Sequence, residues 1–119
     1  MIEKLFGKIN EVTVTHSTME YGSITIDENL MDLAGIREFD AVEVNGATNP
    51  SRIRTYVLKG ERGSGVIGLR GGASLHFKAG DRVHILKYVY IDGLSDFTPK
   101  VVYTDKRNQP IYKDNETND

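Results

Sequence analysis

Residues 12–27 read VTVTHSTMEYGSITID. Val12 and Val14 alternate with Thr13 and Thr15. After Tyr21-Gly22-Ser23 the alternation resumes, with Ile24 and Ile26 set between Ser23, Thr25 and Asp27. Period two over β-branched residues predicts strands, because successive side chains of an extended chain point to opposite faces. The Gly-Ser step between the two runs has two readings. It is either a tight turn or a bond that the chain is built to break.

The same pattern continues outward. Segments 41–45 (AVEVN), 53–59 (IRTYVLK), 65–69 (GVIGL) and 82–91 (RVHILKYVYI) carry Val, Ile, Thr and Tyr, and Gly, Asn, Asp and Pro separate them. One short helix is marked, with Asp27 as its cap, Leu30, Met31, Leu33 and Ala34 as its apolar face, and Gly35 as its end. A second helical turn is expected at 72–78. Six short strands and one or two short helices predict a small, mostly β barrel, a single domain over residues 1–105. The polar stretch 106–119, ending KDNETND, predicts a flexible tail.

Composition narrows the function. A chain of 119 residues suits one domain with a modest core. The net charge of −2 argues against a nucleic-acid partner, which calls for a basic excess. Without cysteine there are no disulfides, no thiolate metal sites and no thiol catalysis. His16, His76 and His84 lack the short spacings of zinc ligands, so no metal is expected, and His16 and His76 read as structural or surface residues. There is no basic-then-apolar leader and no apolar run of about 18 residues, so a cytoplasmic protein with no membrane partner is expected. Residues 63–68, GSGVIG, match G-x-G-x-x-G, but LRGGAS follows where a dinucleotide site opens a long helix. The glycines read as a tight turn.

Several short motifs stand in a specific order. They are Lys8 in GKI, VTH at 14–16, Tyr21, Gly22-Ser23 in GSITID, AGI at 34–36, Arg52-x-x-Thr55-Tyr56, GERGSG at 60–65, GGA at 71–73 and AGD at 79–81. Over roughly residues 1–105 the chain resembles the pyruvoyl-dependent aspartate 1-decarboxylases. The resemblance implies a double-psi β-barrel, a homotetramer, and self-cleavage between Gly22 and Ser23. Ser23 Oγ would attack the Gly22 carbonyl to form an ester, and elimination would release residues 1–22 with a carboxylate at Gly22. Hydrolysis of the dehydroalanine left at 23 would give a covalent pyruvoyl group. That group, with no metal and no pyridoxal phosphate, would form a Schiff base with L-aspartate, a small acidic amino acid. Loss of CO2 would leave β-alanine for pantothenate and coenzyme A synthesis.

The resemblance also distributes roles. Gly22 offers the scissile carbonyl, and glycine before that bond tolerates strained backbone angles. Thr55 would contact the oxyanion during processing. Tyr56 would return a proton to carbon. Arg52 suits a carboxylate through its planar fork, and Lys8 would hold charge near the other carboxylate or the cleaved terminus. Thr55, Gly71, Gly72 and Ala73 would complete the substrate site.

The chain departs from the family pattern at specific positions. Tyr21 abuts Gly22, where the family commonly has one residue between. Asn10-Glu11 stand where the family usually shows His-Arg, and Arg70 stands where it has asparagine. Asn10, Glu11 and Arg70 are therefore candidates for changed specificity, and a helper protein for maturation is a further partner. Two alternatives stay open at this point: the same chemistry on a different amino acid, or an uncleaved, non-catalytic barrel serving as a binding or regulatory module.

Overall fold

The computed structural model describes residues 1–20, 22–93 and 96–112; the Tyr21 step and the KDNETND end lie outside the described residues. The alternating segments become strands: β1 (Ile2–Thr13), β2 (His16–Thr18), β3 (Ser23–Asp27), β4 (Ala41–Gly46), β5 (Arg52–Gly60), β6 (Ile67–Arg70), β7 (Arg82–Ile91), β8 (Lys100–Thr104) and β9 (Pro110–Ile111). The described residues are mostly β, with one α-helix among them, α1 (Glu28–Ala34), and a 3₁₀ turn at Gly71–Leu75 where the second helical turn is expected.

Among the described residues there are nine strands where the pattern predicts six. β2 and β9 have three and two residues, too short for a period to show. β8 buries only Val102 among its five residues, so its alternation has little hydrophobic contrast. Part of the stretch after residue 105 packs on the fold. Asn108 is 1% exposed; its Nδ2 donates to the carbonyls of Thr13 (2.7 Å) and Gly65 (2.8 Å), and its Oδ1 accepts from Thr13 N–H (2.9 Å). Asn108 is thus a polar residue satisfied internally, which composition cannot distinguish from a solvated one.

The strands form one mixed sheet in the order β2-β6-β3-β5-β4-β7-β1-β8-β9. Inward residues of the strands, among them Ile9, Ile24, Ile26, Val44, Val57, Leu69 and Ile85, pack with Leu30 and Met31 of α1 into one core. A sheet this wide curls around such a core rather than lying flat.

Asp27 ties the local structure together. It caps α1 by accepting from Asn29 N–H (2.8 Å), and the same buried carboxylate accepts from Gly63 N–H (3.0 Å) and Gly65 N–H (2.8 Å). Both glycines have positive φ (79° and 72°), a region that side chains disfavour. The glycine run at 60–65 therefore wraps a carboxylate of the protein itself.

The strand β3 sets the position of the Gly-Ser step. It pairs antiparallel with β6, Ser23 opposite Arg70, and parallel with β5 from Ile24 opposite Val57 onward. Carrying that register back sets Ser23 level with Tyr56 and Gly22 level with Thr55. The first half of β5 is bonded on its other edge to β4, Thr55 opposite Val42 and Arg52 opposite Asn45. β3 and β5 thus part where the Gly-Ser step lies.

Candidate active site

At that parting lies a pocket of about 530 Å³ lined by Gly22, Arg52, Ile53, Arg54, Thr55, Gly72, Ala73 and His76. The size falls in the range of small-molecule sites. Five expected site residues, Gly22, Arg52, Thr55, Gly72 and Ala73, meet here from three separated segments. Among the described residues no Asp or Glu lines the pocket, whereas two arginines and a histidine do, so its charge favours an anion.

Ser23 stands at the head of β3 with 0% exposure, and its buried Oγ has no hydrogen-bond partner among the described residues. Buried hydroxyls are nearly always paired, and the exceptions call for a reason. Gly71, with φ +59°, packs on the backbone just before this serine, and it lines a neighbouring cleft with Met19, Glu20 and Gly22.

Other expected residues stand elsewhere in the single chain. Along β5, Val57 is buried and Ile53 packs on the core, whereas Arg52, Arg54 and Tyr56 are exposed; Tyr56, 43% exposed, does not line the pocket. Tyr56 shares the exposed face of Arg52 and Arg54, but the pocket lining along β5 ends at Thr55. Lys8 is half-buried on β1, opposite Leu86 of β7, and also lies outside the pocket. Asn10 and Glu11 line a separate cleft of about 360 Å³ with Arg82 and Tyr103. Glu11 pairs with Arg82 there (3.2 Å) and donates its N–H to His84 Nδ1 (3.0 Å). Burial first, and then the Lys8 charge, hold the His84 pKa below its ordinary value, with Glu11 opposing. Arg70 points toward Glu20 (3.6 Å), in a third cleft with His16 and Thr18.

Sequence reasoning missed Arg54 and His76 as pocket residues. Period two from Arg52 puts Arg54 on the same face of β5, a signal that was legible. His76 comes to the rim through the 3₁₀ turn, and no local pattern marks that.

The sequence model described as aspartate decarboxylase matches residues 1–111. The aspartate 1-decarboxylase of Kosmotoga olearia is 47% identical over 108 residues, covering 90% of this chain and 94% of the relative. That of Stenotrophomonas maltophilia (strain K279a) is 45% identical over 105 residues, 86% of this chain and 83% of the relative. That of Caldicellulosiruptor saccharolyticus is 44% identical over 114 residues, 93% and 89%. Among solved structures, the computationally designed protein msDPBB_sym2 is similar over 72% of this chain and 99% of that chain, at a TM-score of 0.45 and 21% identity.

Proposed function

The chain belongs to the aspartate decarboxylase family, and from that membership we propose that it removes the α-carboxylate of L-aspartate as CO2, leaving β-alanine for pantothenate and coenzyme A synthesis in the cytoplasm. The observation that carries this reading is Ser23, a wholly buried hydroxyl without a partner among the described residues, joined to the glycine that lines the pocket. A hydroxyl left unbonded beside a glycine carbonyl suits a nucleophile for that carbonyl. Attack by Ser23 Oγ turns the Gly22–Ser23 amide into an ester, and elimination then frees a carboxylate at Gly22.

The residues present fit a pyruvoyl group at position 23, since the orphaned side chain occupies the place that the group would take. When present, that group supplies an electrophilic carbonyl that draws electrons from the carbon losing CO2. The chain's own residues do the rest. Arg52 holds one substrate carboxylate through paired N–H donors. Thr55 hydrogen-bonds the oxygen on which charge develops during processing. Gly72 and Ala73 line the pocket without side-chain bulk and leave room for the substrate.

Tyr56 and Lys8 lie outside the pocket of their own chain, and we assign them to the site of an adjoining copy in a homotetramer. There Tyr56 delivers the proton to carbon, and Lys8 balances the carboxylate created at Gly22. The mixed sheet, with parallel pairs β3–β5 and β1–β8 among antiparallel ones, supports a double-psi β-barrel as its closed form.

Intact mass under denaturing conditions tests the reading, on fresh protein and after warm incubation, beside β-alanine release from L-aspartate. Two fragments splitting after Gly22, with activity rising as the cleaved fraction rises, are expected. A chain that stays whole and inert overturns the proposal, and so does a cleaved chain that leaves aspartate untouched.

A further inference from the structure

β6 lies between β2 and β3 in the sheet, and its last residue, Arg70, is level with Thr18 of β2 on one side and Ser23 of β3 on the other. β2 runs parallel to β6 and β3 antiparallel to it, so the connection from Thr18 to Ser23 crosses over the end of β6. Gly22, the last residue of that crossing, carries the carbonyl of the Gly22–Ser23 bond. Met19, Glu20 and Gly22 lie outside both strands, since β2 ends at Thr18 and β3 starts at Ser23. No sheet ladder therefore fixes them.

The segment leaving β6 fixes them instead. Gly71 packs against the Gly22 backbone, with no room for a side chain between them. Ser74 Oγ, which donates to the Gly71 carbonyl (2.6 Å), stands 3.1 Å from Met19 Sδ. Just before the crossing, Ser17 Oγ donates to the Phe77 carbonyl (2.7 Å). Arg70 Nη1 stands 3.6 Å from Glu20 Oε2, two residues before the scissile carbonyl. Among the described residues this is the one ion pair that either side chain makes.

We propose that Arg70 is a positioning residue for self-cleavage: through Glu20 it ties the crossing to the end of β6 and so keeps the Gly22 carbonyl within reach of Ser23 Oγ. An intramolecular attack is fast only while the reacting atoms are held about 3–3.5 Å apart. Backbone outside a ladder opens easily, so each tie across it raises the fraction of time spent in that geometry. The inference rests on the self-cleavage reading for the reaction that the tie serves. The tie itself rests on the sheet register and the ion pair. Both side chains are largely exposed, 44% for Arg70 and 71% for Glu20, so replacing them leaves the core intact.

The test follows cleavage of freshly made precursor by intact mass, at low salt and at about 1 M sodium chloride, where exposed charges are screened within about 3 Å. The variants are Arg70→Gln, Arg70→Lys, Glu20→Gln, the double Gln variant and the charge swap Glu20→Arg with Arg70→Glu. Loss of one exposed ion pair predicts cleavage up to about fivefold slower in R70Q and in E20Q alike, and no slower in the double Gln variant. R70K and the swap should return to within about twofold of wild type. High salt should slow the wild type toward the R70Q rate and leave R70Q unchanged. Wild-type rates in R70Q and E20Q would overturn the proposal, as would a loss in R70Q that E20Q does not share or the swap does not restore. The Ser23→Ala chain separates the tie from the chemistry, because there R70Q should speed hydrogen exchange of the Met19 and Glu20 amides. Faster exchange in that variant, beside a wild-type chain that never cleaves, refutes the self-cleavage reading and leaves the tie standing. Unchanged exchange refutes the tie.

Discussion

Gly71 and Gly22 lie backbone against backbone: a Cβ at position 71 would stand 2.5 Å from both Cα and N of Gly22 and 2.9 Å from the Glu20 carbonyl oxygen. Gly71 also holds φ +59°, so an L side chain is disfavoured there even before the contact is counted. The contact fixes the segment entering the scissile bond. Gly71→Ala should therefore destabilise the fold by about 1–3 kcal/mol and slow cleavage at Gly22–Ser23 more than tenfold. Urea unfolding and a mass-spectrometric time course measure the two effects. Cleavage at the wild-type rate in G71A would show that the contact does not position the bond.

Ser23 makes a converse prediction. Its Oγ is buried without a partner among the described residues, so removing it discards an unsatisfied polar group. Ser23→Ala should abolish cleavage while leaving the fold as stable as the uncleaved wild type, or up to about 1–2 kcal/mol more stable. Stability bought at the expense of chemistry is the signature of a functional residue. Urea unfolding of S23A beside freshly made precursor decides it, and a clear loss of stability would mean that the hydroxyl is structural.

Ile24 and Ile26 were legible as a strand because one face of β3 is core, and Asp27 as a cap because its role is local. Asp27's second role was not legible. Its bonds to Gly63 and Gly65 span more than thirty residues, and they explain a glycine pattern that otherwise resembles a nucleotide loop. Within the site, Arg-x-x-Thr-Tyr reads as one motif, yet Arg52 and Thr55 line the pocket and Tyr56 is exposed outside it. The position of Arg70 was also beyond sequence reasoning. It faces Ser23 in register but directs its guanidinium to Glu20. Glu11, a candidate for weakening the pull on an anion, is instead paired with Arg82. For Asp27, Arg70 and Glu11 the partner lies far along the chain, and a single sequence does not encode such a pairing in any local period.

Asp27→Asn isolates that long-range role. The carboxylate accepts three backbone N–H groups, two on Oδ1 and one on Oδ2. An amide keeps one oxygen and turns a donor toward a donor at the other position. In a fully buried site this should cost about 2–4 kcal/mol in urea unfolding, with protection of the 60–65 amides from hydrogen exchange falling first. Unchanged protection there would mean that the loop is held by other contacts.

His84 gives the fold a pH dependence of definite sign. Its Nδ1 accepts from Glu11 N–H at 3.0 Å, so protonation would set donor against donor, and burial and then Lys8 lower its pKa below the ordinary value of 6.5. A folded-state pKa below the unfolded one means that the unfolded chain binds more protons in acid. The contribution is therefore fully present above the unfolded pKa and is lost as pH falls through the lowered value. Wild-type stability should thus decline from about pH 7 toward pH 5 more steeply than that of His84→Gln, which keeps an acceptor but does not titrate. Urea unfolding of both proteins across that range reads the difference directly. Parallel curves would show that His84 keeps the same proton affinity in the folded and unfolded chains.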